Sequence, residues 1–149
     1  MLYVIVGIII ILIDQISKKM VDRELYQNEK IHIYKKLYFV KVYNYGAAYG
    51  VLKNKRKFLI IMTIISIIVL LFLVFCFEQN EFSIRLGLAI IIAGALGNLI
   101  DRIKYGYVID FLYIKSKFKK VPIFNIADVA IFVGFLIILI YDISTIVFG

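Results

Sequence analysis

Several residue types that carry common enzyme chemistry are scarce in this chain of 149 residues. It has one cysteine, Cys76, which excludes an intrachain disulfide. It has no tryptophan and one histidine, His32, which lies in a polar stretch without an obvious nucleophile beside it. No Cys and His cluster has zinc-site spacing, and no glycine-rich phosphate-binding loop is present. These absences argue against Ser–His, Cys–His and zinc-dependent schemes.

Charge is also scarce, because charged residues make up 19% of the chain and hydrophobic residues 63%. An average soluble domain is roughly 45–50% apolar. This composition excludes a disordered chain and a soluble two-domain enzyme, and the length allows at most one domain. The chain is therefore predicted to be an integral membrane protein whose single domain covers residues 1–149.

Four long apolar segments are candidates for membrane-spanning helices, which need about 20 apolar residues to cross a hydrocarbon core of about 30 Å. The first has no basic residue before it and no small-residue cleavage site after it, so it is expected to be a retained helix. The third is rich in small residues, which let helices pack closely in lipid. The predicted fold class is an all-α polytopic membrane protein with four transmembrane helices, at about 1–18, 58–77, 84–103 and 126–147.

Two longer connections, about 18–57 and 102–125, lie on the same side of these helices. Partly alternating apolar and aromatic residues between 31 and 45 predict short strands near the membrane surface, and the segment 108–114 is also predicted to be extended. Seventeen of the 18 Lys and Arg residues fall in the two connections. The positive-inside rule would place that side of the membrane in the cytoplasm.

Acidic residues in or beside apolar segments are functional candidates, because an unpaired charge in the membrane costs several kcal/mol. Asp110 and Asp128 are the pair of greatest interest. Two carboxylates held close together cannot both ionise easily, so one can act as a base and the other as an acid. Such a pair can activate a water molecule for attack on a peptide bond. The alternatives are a surface strand carboxylate at Asp110 and a helix cap, with Asn125 as the N-cap and Asp128 at the third helical position.

Polar residues of the third apolar segment form a second group. Asn98, Asp101 and Arg102 are spaced i, i+3 and i+4, so they share one helix face. Arg102 stays charged and needs an anionic partner, for which Asp14, Asp101 and Asp110 are all candidates. A salt-bridged network that holds helix ends is the favoured interpretation.

Two further motifs are interpreted structurally. Asp14 and Lys18 are spaced i, i+4 in the first segment and are predicted to form a clamp. The small-residue segment 44–50, which contains Gly46, would allow close backbone approach to a ligand, but on its own it favours a turn between strands.

Four ordered blocks of the sequence resemble the lipoprotein signal peptidase family, signal peptidase II. The resemblance extends over nearly the whole chain. The family usually has Phe where this chain has Tyr49, and often Thr where it has Ser17, and both departures leave the active site intact. The blocks are DQISK at 14–18, NYGAAYG at 44–50, GALGNLIDR at 94–102 continuing to GYVIDF at 106–111, and FNIAD at 124–128.

The resemblance implies an aspartic endopeptidase of the bacterial plasma membrane that frees the signal peptide of a prolipoprotein. Cleavage falls just before a cysteine that carries a diacylglyceryl group. Asp110 and Asp128 match the family's catalytic pair. Positions that bind or orient the substrate correspond to Asn44, Gly46, Asn98, Arg102 and Asn125, and structural polar positions to Asp14, Lys18 and Asp101.

The resemblance also implies an architecture and partners. Four spans carry a small β-cradle at about 30–50 and a short helix near 51–57, with the active site near the outer face, against the positive-inside rule. The expected partners are prolipoprotein signal peptides, membrane lipids and globomycin-type peptide inhibitors. We expect a monomer without metal or organic cofactor. The basic connections are attributed to an anionic lipid surface and not to nucleic acid.

Two other classes of protein remain as alternatives. A small proton-coupled transporter would use intramembrane Asp residues, but its polar groups should be distributed across the bilayer, whereas here they cluster near one face. A metal-dependent phosphoalcohol transferase also uses interfacial Asp residues. Its run of Asp residues at helical spacing, opening with Asp-Gly, is missing from this sequence.

Overall fold

A computed structural model describes residues 1–47, 51–77, 81–116 and 121–148. These residues form a mostly helical protein with a small antiparallel sheet of order β1-β2-β3. Helix α3 lies at the centre of the helical part and contacts the three other helices. The elements are α1 (Leu2–Glu24), β1 (Lys30–Tyr34), β2 (Leu37–Asn44), α2 (Arg56–Cys76), α3 (Phe82–Lys104), β3 (Val108–Ile114) and α4 (Ile126–Phe148).

Among the described residues, three helices are long and apolar enough to cross a membrane, at Arg56–Cys76, Phe82–Lys104 and Ile126–Val147. Most side chains of α2 are exposed, and most of the exposed ones are Ile, Leu, Val and Phe residues, as expected for a helix that faces lipid. Helix α1 has 23 residues, as α3 does, but carries Asp14, Lys18 and Lys19 in its second half. Its charges set it apart from the other three helices.

Helix α1 continues to Glu24, beyond the end predicted at about 18. Its buried residues Asp14, Lys18 and Val21 follow helical spacing and form one inward face. Val21 and the next residue in this series, Leu25, pack against Phe111 of β3. The extra turns therefore dock the helix against the sheet, which the apolar run alone did not reveal.

The sheet recruits its third strand from a distant part of the chain. Strands β1 and β2 lie within the segment predicted as the cradle, and β3 corresponds to the extended segment predicted at 108–114. The short helix expected near 51–57 is replaced by turns at 51–54, where Leu52 and Asn54 have positive φ values of 59° and 66°. Such left-handed residues interrupt a helix. Residues 48–50 of the NYGAAYG block, including Tyr49, lie outside the described residues.

Glycines allow the backbones of α3 and α4 to approach closely. A Cβ atom added at Gly87 would lie 2.7 Å from the carbonyl oxygen of Gly134 and 2.6 Å from Cγ1 of Ile138. One added at Gly94 would collide with the carbonyl oxygen of Ala127. The small residues of α3 thus bring its second half against the first turn of α4, where the polar residues of both helices meet.

Gly87→Ala should destabilise the protein, because the added methyl group has no space between α3 and α4. Overpacking of this kind costs about 1–3 kcal/mol. Gly7→Ala is the matched control, since its Cβ would lie at an ordinary 3.8 Å from the Cβ of Ala93. Both changes gain the same helix propensity, so the difference between their unfolding temperatures in detergent isolates the steric cost. Equal unfolding temperatures would contradict this packing.

Candidate active site

Asp110 and Asp128 reach the site from different elements. Asp110 lies within β3 between the buried side chains of Ile109 and Phe111, and it is only 3% exposed. Asp128 is the third residue of α4 and is half-buried. Asn125 Oδ1 accepts a hydrogen bond from the backbone N–H of Asp128 at 2.9 Å, and Asp128 Oδ2 accepts one from the N–H of Asn125 at 3.2 Å. These reciprocal bonds form a capping box, so the cap predicted at Asn125 is present.

Three asparagine side chains hold the two carboxyl groups. Asn125 Nδ2 donates to Asp110 Oδ1 at 2.7 Å, so one side chain connects both acidic residues. Asn44 Nδ2, at the end of β2, donates to Asp110 Oδ2 at 2.9 Å. Asn98 Nδ2, on α3, donates to Asp128 Oδ1 at 2.8 Å. Each of the four carboxyl oxygens therefore accepts a hydrogen bond, and strand, helix and cap converge on one site.

The two carboxyl groups do not have the same environment. Burial, followed by the negative charge of Asp128, raises the pKa of Asp110 from its ordinary 3.8 to about 7. Hydrogen bonds from Asn44 and Asn125 favour the charged form and oppose this rise. Asp110 can therefore carry a proton near neutral pH, beside a half-buried Asp128 in the first turn of a helix.

A buried ionic cluster lies directly behind this site. The ammonium group of Lys18 is 2.8 Å from Asp14 Oδ2 and 3.0 Å from Asp101 Oδ2, and its side chain is 2% exposed. Asp14 Oδ1 also accepts the backbone N–H of Ala127 at 2.9 Å, in the first turn of α4. Asp101 Oδ2 accepts the N–H of Ile109 at 3.2 Å. The structure thus brings together the three residues predicted to be structural and connects them to both elements that carry the acidic pair.

Arg102 has a different partner from those proposed for it. Among the described residues its hydrogen bond goes to the carbonyl oxygen of Gly46 at 3.3 Å, and no ion pair with Asp14, Asp101 or Asp110 is formed. The N–H of Gly46 donates to Asn44 Oδ1 at 2.9 Å, which leaves the Nδ2 of that side chain facing the site. The loop after β2 therefore provides the hydrogen-bond acceptor of Arg102.

Two residues whose hydrogen bonds support the elements around the site were not identified from the sequence. Gln15 Nε2 donates to Asp14, Asp101 and the carbonyl of Gly97 at 3.0–3.2 Å. Arg56 donates to the last carbonyls of α3, from Nε to that of Arg102 and from Nη2 to that of residue 103, both at 2.9 Å. A cation at a helix C-terminus is a known stabilising pattern, but its sequence signal gives no partner. Only the fold shows which helix end Arg56 reaches.

Two cavities meet at Asp110. One, of about 550 Å³, lies beside both acidic residues and has an apolar wall from α3 and α4. The other, of about 640 Å³, lies on the side of the sheet and has a more polar lining. Both include Asn44, Asp110, Pro122 and Ile123 in their linings. The apolar wall of the first consists of Ile91, Ile131, Phe132 and Phe135.

Other reactive side chains lie apart from this site. His32 is exposed on β1 and contacts the carbonyl of Lys35 at 2.9 Å, and Cys76 is exposed at the end of α2. Within the described ranges, no three His, Cys, Asp or Glu side chains are grouped in a way that could hold a metal ion. The polar side chains that line the cavity beside both acidic residues are carboxyl groups, amides and one guanidinium.

Comparisons with known proteins agree on one family. The family model described as Signal peptidase (SPase) II matches residues 6–144. A lipoprotein signal peptidase from Clostridium tetani is 39% identical over 143 residues, which cover 95% of this chain and 92% of the relative. Another from Halothermothrix orenii is 37% identical over 142 residues, which cover 95% and 94%.

Solved structures agree with these sequence matches. Two structures described as bacterial membrane enzymes are similar to this one, with TM-scores of 0.91 and 0.82 at 29% and 30% sequence identity. The first similarity covers 97% of this chain and 89% of the other, and the second covers 93% and 90%. The arrangement of helices and sheet is therefore shared almost throughout.

Asp110 should titrate near pH 7, and Asn44→Ala should move this titration to higher pH. The amide N–H of Asn44 stabilises the charged carboxylate, so its removal makes ionisation harder. Infrared spectra between pH 3 and 9 can follow the protonated-carboxyl band, and Asp110→Asn identifies that band by its loss. A wild-type band that titrates near the ordinary Asp value of 3.8 would contradict the expected environment.

Proposed function

The chain belongs to the signal peptidase II family, and from this membership we propose that it cleaves lipid-modified prolipoproteins by aspartic-protease chemistry at Asp110 and Asp128. The observation that carries the proposal is the pair of carboxyl groups held by three asparagines where two cavities meet. The relatives named above are peptidases, and none is a transporter. The alternative of a proton-coupled transporter therefore has no support.

The environments of the two acidic residues suggest their roles. Asp128 is half-buried and lies in the first turn of α4, where the helix dipole favours an anion, so it serves as the base. Asp110 is buried and its pKa is raised to about 7, so it serves as the acid.

Peptide hydrolysis then follows with balanced proton transfers. Asp128 accepts a proton from a water molecule whose oxygen attacks the scissile carbonyl carbon, and Asp110 donates its proton to the carbonyl oxygen. When the resulting gem-diol collapses, the C–N bond breaks and the proton on Asp128 passes to the leaving nitrogen. A hydroxyl of the gem-diol returns its proton to Asp110, which restores the starting state.

The cavities suggest how the substrate lies. The wall formed by Ile131, Phe132 and Phe135 extends from Asp128 along α4, and it presents apolar surface to acyl chains or to an apolar signal peptide. Phe135 lies seven positions after Asp128, so this wall extends about 10 Å along the helix. The diacylglyceryl-modified cysteine would then be held beside the carboxyl groups, where globomycin-type inhibitors are also expected to bind.

Helix α1 supplies the fourth span in this proposal. Its 23 residues are about 35 Å long, enough to cross a bilayer. Ile5, Ile9 and Leu12 are exposed on its outer side, whereas Asp14 and Lys18 are paired with each other inside the protein. Pairing removes the main cost of placing these charges at membrane depth. The protein then lies in the bacterial plasma membrane, with the sheet and the acidic pair near the outer face.

Asp110→Asn and Asp128→Asn should each abolish cleavage of a diacylglyceryl-modified prolipoprotein by the purified protein. The change keeps the size of the side chain but removes the ionisable proton, and loss of a positioned acid or base should cost at least about 10²-fold in rate. Asp142→Asn is the matched control, because Asp142 is exposed at the other end of α4. Cleavage near the wild-type rate by either of the first two variants would refute the acidic pair.

Labelling of single cysteines in intact cells should place Lys35 outside the plasma membrane and Ser144 inside. Lys35 lies in the turn between β1 and β2, Ser144 lies near the end of α4, and both are exposed. Lys35→Cys and Ser144→Cys would be made in a Cys76→Ala background. A membrane-impermeant thiol reagent should modify the first position only. Modification of Ser144→Cys with protection of Lys35→Cys would support the positive-inside orientation and reject the proposed one.

A further inference from the structure

Lys18 contacts the acidic site as well as the ionic cluster behind it. Its ammonium group donates to Asn98 Oδ1 at 3.1 Å, in addition to its ion pairs with Asp14 and Asp101. Both Lys18 and Asn98 are buried, with exposed fractions of 2% and 6%. The ion pair of Lys18 with Asp101 already joins α1 to α3, so the additional contact with Asn98 needs a separate explanation.

The third contact fixes the orientation of one amide. Asn98 Oδ1 accepts from Lys18 and also from Asn125 Nδ2, each at 3.1 Å. If the amide of Asn98 turned over, its NH₂ group would face these two donors and three buried N–H groups would lose their acceptors. The carbonyl therefore stays toward Lys18, and Nδ2 must face Asp128 Oδ1, 2.8 Å away.

We propose that Lys18 is a positioning residue for hydrolysis, which acts through Asn98 to keep an N–H donor on Asp128. A donor at this oxygen stabilises the carboxylate and not the protonated acid, because the protonated oxygen of an acid is itself a donor. Lys18 thereby helps to keep Asp128 in the form that accepts a proton from water. This inference rests on the proposed aspartic chemistry and adds to it the control of the base.

The contacts from Lys18 through Asn98 to Asp128 form a relay. Each element that packs against this relay contributes charged groups. Helix α1 contributes Asp14, and α3 contributes Asp101 and Arg102. Strand β3 contributes Asp110, on which Lys18 also acts electrostatically, and α4 contributes Asp128. Lys18→Met therefore removes a charge that acts directly on Asp110, in addition to the contact with Asn98. A test must separate this direct effect from the effect transmitted by the amide.

The first test compares Lys18→Met with Gln15→Met in the full-length protein, with cleavage of a diacylglyceryl-modified prolipoprotein followed across pH. Both changes remove donors to Asp14 and Asp101, but only Lys18 contacts Asn98. Lys18→Met should lower kcat about tenfold or more and shift the acidic limb of the kcat/KM profile upward by about one pH unit. Gln15→Met should leave the position of that limb unchanged. If both variants lose activity without any shift, Lys18 is only structural and the proposal fails.

A double-mutant cycle with Asn98→Ala separates the relay from direct electrostatics. Asn98→Ala removes the donor to Asp128 and leaves both ion pairs of Lys18 in place, so it should fold and show the same upward shift. Adding Lys18→Met to Asn98→Ala should shift the limb by much less than Lys18→Met shifts it in the wild-type protein, because only the direct charge effect is left to remove. An equal additional shift in this background would show a direct charge effect and overturn the relay.

Two further comparisons cover a variant that does not fold and distinguish failure of the relay from failure of the proposed function. If Lys18→Met does not accumulate as folded protein, the pair Lys18→Met/Asp101→Asn is compared with Asp101→Asn alone, since this background has one fewer unpaired buried charge. If Asp110→Asn or Asp128→Asn retains activity, the proposed function itself fails. If both are inactive while Lys18→Met shifts nothing, only the relay is rejected.

Discussion

The buried ion pairs of Lys18 with Asp14 and Asp101 are the interaction on which the rest of the structure depends. The same two carboxylates accept backbone N–H groups of Ala127 and Ile109, so one cluster joins α1, α3, α4 and β3. Removing one partner of a buried ion pair leaves an unpaired charge and costs about 3–5 kcal/mol. Because each charge has its partner inside the protein, the first helix can carry charged residues on its buried face.

The second feature is that the two nearby carboxyl groups have different environments. Asp110 is buried in a strand among apolar neighbours, whereas Asp128 is half-buried at the positive end of a helix. The amides of Asn44, Asn98 and Asn125 hold both groups without adding charge. In the proposed mechanism, this difference in environment separates the acid from the base, and the cations Lys18 and Arg102 lie nearby.

The membrane-embedded part of the fold was largely predictable, because long apolar runs and small residues have a local meaning in lipid. The strand at 108–114 was also predictable from its composition. What could not be predicted was how these parts meet: the docking of the last turns of α1 against the sheet, the bond of Arg102 to Gly46, and the turns at 51–54. These features depend on contacts between residues far apart in the chain, which periodicity does not report.

The sequence by itself determined the class of protein, the candidate acidic pair and the cap at Asn125, because each depends on composition or on residues close together in the chain. Resemblance of four ordered blocks added the family. Only the tertiary structure decided which amide serves which carboxyl oxygen and which charges Lys18 neutralises, since its partner Asp101 and the amide of Asn98 lie 83 and 80 positions away in the numbering. Hydrogen bonds are short-range and directional, so their partners are fixed only when helices and strands have packed.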